Sequence, residues 1–220
     1  MWRTDWVRKK QQIAEQLASG QCGGSYGEAV LILCSALSAL AAEVWPGDRI
    51  DRKRFVELLK DHAPPLLAAT RVSIPLLLKH LRRAGRAETS EIESAFLNFP
   101  SGQILIGDQV DKTESEIHLV AACSSIGSSE MRECSYANLL YREVRSAYVH
   151  GYRPGTGSES WTLTDSAAPV SYVNRIDDPD RRIHFSINWI SKLAIGAAQA
   201  VDQVAAMLPL PQPARWWLDG

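Results

Sequence analysis

The stretch YREVRSAYVHGYRPG, Tyr141 to Gly155, sets an arginine and a histidine five positions apart at the end of an apolar helical pattern. Upstream of it, Glu130 to His150 reads as one helix, with Leu139, Leu140, Val144 and Ala147 on adjoining faces. Gly151 is the natural terminator and Pro154 prevents continuation. Because the same helical period runs through the residues before it, this segment sets the class of the whole chain.

Asp5 to Leu17 carries Trp6, Ile13 and Leu17 among charges, a narrow apolar stripe. Ser25 followed by Glu28 forms a capping box that opens a helix to about Trp45, where Pro46 and Gly47 stop it. That helix is apolar nearly all round, which places it centrally with the others packed against it. Asp51 is read as the cap of a short helix through Phe55, Leu58 and Leu59 that ends before Pro64 and Pro65. Ser73, with Pro75 in the first turn, starts another through Leu78 and Leu81. Ser90 with Glu93 marks a further short helix, interrupted at Phe99-Pro100-Ser101-Gly102, and Glu114 to Cys123 reads as helix again. Between Gly102 and Lys112 no period stands out.

After Gly155 the character changes. GTGSES is a loop. PVSYVNRI and RIHFSI are β-branched and aromatic runs, and the DDPDR between them has turn composition, so a β-hairpin is expected near residues 169–187. A long helix follows from Asn188 to about Met207, and LPLPQPARWWLDG, residues 208–220, is an extended tail whose Trp216 and Trp217 fold back on the bundle or dock on a partner. The hairpin is too small to fold alone. The expectation is therefore an all-α protein, a helical bundle over residues 1–220 as a single domain, with a small embedded hairpin.

The chain has 220 residues, 45% hydrophobic and 22% charged, with a formal net charge of -1. That balance excludes general coating of nucleic acid or anionic membrane and leaves a local basic face to be sought. The richest cationic stretch is RVSIPLLLKHLRRAGR, with Arg71, Lys79, His80, Arg82, Arg83 and Arg86 and no acidic residue; it is either a surface for phosphates or the solvated face of a packed helix. The N-terminus MWRTDWVRKKQQ has no secretory pattern, which points to the cytoplasm. The longest uncharged run, Ala29 to Ala42, falls short of the ~20 residues of a membrane span, so no membrane is expected as a partner. Cys22, Cys34, Cys123 and Cys134 form no close pair and read as reduced thiols. Asp108, Asp111, Glu114 and Glu116 with His118 follow no metal-loop spacing and span an expected helix start, where carboxylates are favourable in any case.

Chance alone supplies about one arginine–histidine pair of this spacing in a chain of this composition, so the pair acquires meaning only from its setting. A helix C-terminus favours the imidazolium while Arg142, Arg145 and Arg153 disfavour it, which suits a group that exchanges protons near neutrality. A neighbouring guanidinium offers a planar fork for a phosphate.

With those residues in place, RSAYVH and the flanking LLYREVRSAYVHGYRPG resemble the HEPN superfamily, helical domains many of whose members are metal-independent ribonucleases with an arginine, four to six residues and a histidine in a late helix. The resemblance covers about 20 residues sharply and the rest as a helical outline. It implies Arg145 as the phosphate-binding group and His150 as the general acid or base, with no cofactor and no metal. Ser146, Arg142, Tyr148, Tyr152 and Arg153 flank the pair as candidate substrate contacts, the tyrosines stacking on bases or belonging to the core. Active members often carry asparagine, aspartate or histidine directly after the arginine, and here the residue is Ser146, which can still donate a hydrogen bond. Five residues at ~100° each place Arg145 and His150 about 140° apart on a regular helix. The resemblance further implies homodimers in which two motifs line one cleft, RNA as substrate, and for free-standing toxins a nucleotidyltransferase-like antitoxin as partner. The alternative is a catalytically inactive interaction or RNA-binding module in which Arg145 and His150 make structural hydrogen bonds.

Overall fold

Ser25 opens the helix around which the others pack. Its N–H donates to Glu28 Oε2 at 2.8 Å and the reciprocal capping box forms, so α2 (Tyr26–Val44) starts where the sequence places it. The computed structural model describes residues 1–96, 104–120, 125–160, 168–175 and 178–220. Before α2 comes α1 (Trp2–Ala18) and after it α3 (Asp51–His62). By length and composition α2 could cross a membrane, but over half of it is buried here, under α1, α3 and the long C-terminal helix. Asp51 is not the cap of α3: Ile50 occupies that position without a side-chain bond, and Asp51 lies in the first turn, paired with Arg54.

Ser73 does cap α4 (Ile74–Arg83), accepting the Leu76 N–H at 3.3 Å. Next come α5 (Thr89–Phe96), β1 (Leu105–Ile106), α6 (Gly107–Val110), α7 (Glu114–His118) and α8 (Ser128–Glu133). The expected break at Phe99 to Gly102 and the helix end at Cys123 lie outside the described residues. The single helix expected over Glu130 to His150 is divided. Ser135 caps a new start, and the Tyr136 and Ala137 N–H groups donate to Arg71 and Ala69 carbonyls instead of to the preceding turn. From there α9 (Tyr136–Leu139), a π-helical segment (Leu140–Ser146) and α10 (Ala147–Gly151) follow one another without a gap.

The hairpin pairs β2 (Val170–Arg175) with β3 (Asp178–Phe185), antiparallel, Val170 opposite Phe185 and Tyr172 opposite Ile183. Asp178 to Asp180 therefore belong to a strand, not to the turn. A third strand joins the pair: β1 runs antiparallel to β2, with Leu105 opposite Tyr172. Two residues carry no periodicity, which is why the sequence gives no sign of it. The class is mostly helical with a small three-stranded sheet. Ser186 caps α11 (Ile187–Val204), and Phe185 stacks on Trp189 with ring centroids 5.2 Å apart.

Beyond a short 3-10 turn at Ala205–Met207 the tail folds back instead of extending. The Leu210 N–H donates to the Val44 carbonyl at 3.0 Å, Trp216 packs edge-on against Trp45, and the Trp217 N–H reaches Glu57 Oε2 at 2.8 Å. Arg132 lies over the Trp217 ring.

Two apolar clusters result. The larger surrounds α2 and takes in the sheet and α11; the smaller lies among α4, α5, α7 and α8, with Ile74, Leu77, Leu81, Ile92 and Met131. Asp111 sits at their junction, almost fully buried. Its Oδ1 accepts the Ile74 N–H at 3.0 Å and its Oδ2 accepts the Tyr136 and Tyr172 hydroxyls, each at 2.5 Å. Burial pushes this carboxyl up to about 7 against the opposing effect of those bonds.

Candidate functional site

Leu140–Ser146 winds with i to i+5 bonds, looser than the flanking turns, a rare arrangement that recurs at functional sites. It carries Tyr141, Arg142, Glu143 and Arg145. The apolar members Leu140 and Val144 are buried, which fixes the orientation of the others.

Arg145 turns toward α2. Its Nε donates to Ser38 Oγ at 3.3 Å, its Nη1 to the Tyr141 hydroxyl at 3.4 Å, and the guanidinium lies over the Tyr141 ring, 5.1 Å from the centroid. Tyr141 is in turn held edge-on by Phe55. The guanidinium is half-buried and no carboxylate pairs with it among the described residues. Its charge is felt at Cys34, whose thiol burial pushes up to about 12 while Arg145 acts in the opposite sense. Both bonds are long and end on neutral hydroxyls, so Nη2 and the outer edge of the fork stay available.

His150, in the last turn of α10, is exposed and makes no hydrogen bond among the described residues. The π-segment that carries Arg145 is wound more loosely but the turn before His150 stays helical, and Arg145 faces α2 while His150 faces solvent within one protomer. Helix termination falls one residue later than the glycine. Gly151 is helical and Tyr152 takes the left-handed position at φ 51, its N–H donating to the Tyr148 carbonyl at 3.0 Å. The Tyr152 hydroxyl donates to Glu28, which the Ser25 hydroxyl and then Tyr152 hold down at about 2, and this contact ties the motif helix to the start of α2.

The remaining flanking residues divide. Tyr148 is core, 5% exposed, its ring against Gly27 where an added Cβ would come within 2.8 Å of Cε1, so no face is left for a base. Tyr152 and Arg153 are exposed, and Ser146 is half-buried. Arg142 points away from Arg145: its Nε donates to Glu143 Oε1 at 2.8 Å, with Glu133 Oε2 3.5 Å from Nη1.

No protein-family profile, no curated protein and no solved structure matches this chain. The site is therefore read from its own geometry.

The acidic series is dispersed. Asp108 pairs with Arg71, Glu114 with Arg132, Glu116 closes a capping box with Thr113, and His118 contacts the Ile126 carbonyl. Most cations of the basic stretch are likewise paired: Lys79 with Asp180, Arg82 with Glu93, Arg86 with Glu88 and Glu130. As a continuous positive face it is largely neutralised.

Sequence reasoning missed Glu143. This buried carboxylate accepts the Gly157 N–H at 2.9 Å, and its carbonyl accepts the Gly155 N–H at 2.8 Å and the Ser158 hydroxyl at 2.9 Å. A Cβ on Gly155 would stand 2.9 Å from Glu143 Cα. Glycines at both positions are the only trace of this contact in the sequence, and they read equally well as an ordinary flexible loop.

Proposed function

We propose that the protein is a HEPN-like, metal-independent endoribonuclease in which Arg145 binds the scissile phosphate and His150 moves the proton. The observation that carries this reading is the state of Arg145. A half-buried guanidinium held by two neutral hydroxyls and an aromatic face, with no counter-ion among the described residues, favours an anion at its open edge. Exposed His150 lies five residues on, on another face, accessible to a ribose 2'-hydroxyl or a leaving oxygen. Positive charge beside the phosphate then stabilises what develops in the transition state.

Within one protomer the two side chains diverge, so the reading requires a homodimer. The surface between α1 and α2 suits that role: Trp6, Leu31, Ile32, Ser35 and Ala39, with Lys10 over the Trp6 ring, line a mostly apolar groove of about 490 Å³ on the helix that also supplies Ser38 to Arg145. In such a symmetric pairing the Arg145 of one protomer would serve the His150 of the other. A nucleotidyltransferase-like antitoxin and a role in defence or RNA processing follow from the same resemblance.

Divergence of the pair also favours a second reading, an RNA-binding module without catalysis. Cleavage of a mixed labelled RNA in excess EDTA separates the two. The nuclease reading expects cleavage by the wild type and none by His150→Ala or Arg145→Ala; a folded dimer that binds RNA and leaves it intact rejects it.

A further inference from the structure

Between α4, the π-segment and the loop after α10 lies a cleft of about 360 Å³, lined by Lys79, His80, Arg83, Arg142, Glu143 and Thr156 among others. Three of these side chains are fixed cations and one is a carboxylate. Glu143 is already committed, its Oε2 to the Gly157 N–H and its Oε1 to Arg142. It therefore acts as part of the wall, holding Thr156 at the rim between two glycines that pack against it, Gly155 too closely to admit a side chain.

The cations differ in how they are satisfied. Lys79 lies 3.1 Å from Asp180, His80 Nε2 3.4 Å from Glu130, and Arg142 contacts Glu143 and Glu133. Arg83 is exposed and has no carboxylate within ion-pair distance among the described residues. Arg142 is itself well exposed and so is much of Glu133, and an ion pair at such a site is weak enough for a better anion to compete, whereas the bond to buried Glu143 is kept. Arg83 and Arg142 thus face one concave space from two elements, one fork free and the other exchangeable, with the Thr156 hydroxyl beside them.

We infer that this cleft binds a phosphate of an RNA strand, at a position separate from the one held by Arg145. The inference rests on the RNA reading above but not on cleavage. Arg83 supplies the first grip, Arg142 turns from Glu133 toward the same oxygens, and Thr156 donates at the rim. Because Arg142 and Arg145 project from one short segment toward different sides, a strand seated in the cleft is led along the motif helix.

The test uses a fluorescent single-stranded RNA 12-mer and the His150→Ala protein, in which binding is measured without cleavage. Adding Arg83→Ala should weaken binding about 5- to 10-fold and flatten the slope of log K against log salt by about 0.7, the value for one phosphate contact on a single strand. Arg83→Lys should recover part of both. Equal affinity and slope with and without Arg83, or no RNA binding by the His150→Ala parent, overturns the inference. AMP and inorganic phosphate are run as competitors. Displacement by sub-millimolar AMP that disappears in Arg83→Ala would move the site from a strand to a free nucleotide and overturn the strand assignment. A wild type that never cleaves, yet binds RNA through Arg83, rejects the nuclease reading alone.

Discussion

The Tyr172 hydroxyl lies 2.5 Å from Asp111 Oδ2, inside the protein, where the small helical cluster meets the sheet. Tyr136 approaches the same oxygen from the motif helix. Three elements thus converge on a carboxyl that burial pushes up to about 7.

The consequence is a pH dependence of stability. The native state retains the Asp111 proton up to about 7, whereas the unfolded chain releases it near the ordinary ~3.9. Its contribution is therefore fully present below ~pH 4 and is lost as pH rises to about 7, by on the order of 3–4 kcal/mol. His62 and His184, lowered by burial, act in the opposite sense where their window overlaps. Urea midpoints of wild type and Asp111→Asn between pH 4 and 8 should therefore differ in slope, the wild type losing more stability with rising pH. Parallel curves would remove Asp111 from this role.

At the motif, Arg145→Ala and Arg145→Lys are both expected to lower RNA cleavage by ~10²–10³, because an ammonium cannot offer the planar fork. Tyr141→Phe keeps the ring beneath the guanidinium and removes only the 3.4 Å hydroxyl contact, so its loss should stay within about tenfold. Single-turnover cleavage in EDTA measures each; a lysine variant with full activity contradicts the assigned role of Arg145.

Charge on the uncovered face of α2 should separate the protomers. Ala39 is exposed and lines the groove with Trp6 and Ile32, so Ala39→Arg is tolerated by the fold but not by self-pairing. Light scattering after size exclusion should report a dimer for the wild type and a monomer for the variant, with cleavage lost in parallel. An active monomer would reject the shared cleft.

Gly196 in α11 packs so closely on the Pro64 ring that any Cβ would overlap it. Gly196→Ala gains ~1 kcal/mol of helix propensity and meets an overpacking cost of about 1–3 kcal/mol. Overpacking wins because the proline ring is tied to the backbone and cannot swing aside. A melting point several degrees lower is expected, and an unchanged one would show that the loop yields.

What could be read beforehand follows from the range of each interaction. Ser25, Ser73 and Ser186 act within three residues, so the starts of α2, α4 and α11 are visible in a local window. The break before Tyr136 depends on carbonyls some 65 residues away, at Ala69 and Arg71, and β1 exists only through its pairing with β2. No local window contains either. At the site, the spacing of Arg145 and His150 and their divergence follow from helix geometry, whereas Ser38 as the holder of Arg145 and Glu143 as the anchor of the 155–158 loop are long-range contacts. Tyr148 and Tyr152 look alike in sequence; packing on Gly27 buries one, and a left-handed backbone exposes the other.

A π-turn is, in effect, an α-helix that has accommodated one residue more than its ladder needs. Leu140–Ser146 is accordingly a place where the chain can be shortened by one residue and still close its backbone bonds. Such a deletion would tighten the π-turn to an α-turn and leave the bearing of everything downstream, His150 included, close to where it is, while Tyr136 kept its grip on Asp111. The aim of the motif is thus buffered at this turn against the loss of one residue, a tolerance that the flanking α-turns, at ~100° per residue, do not have.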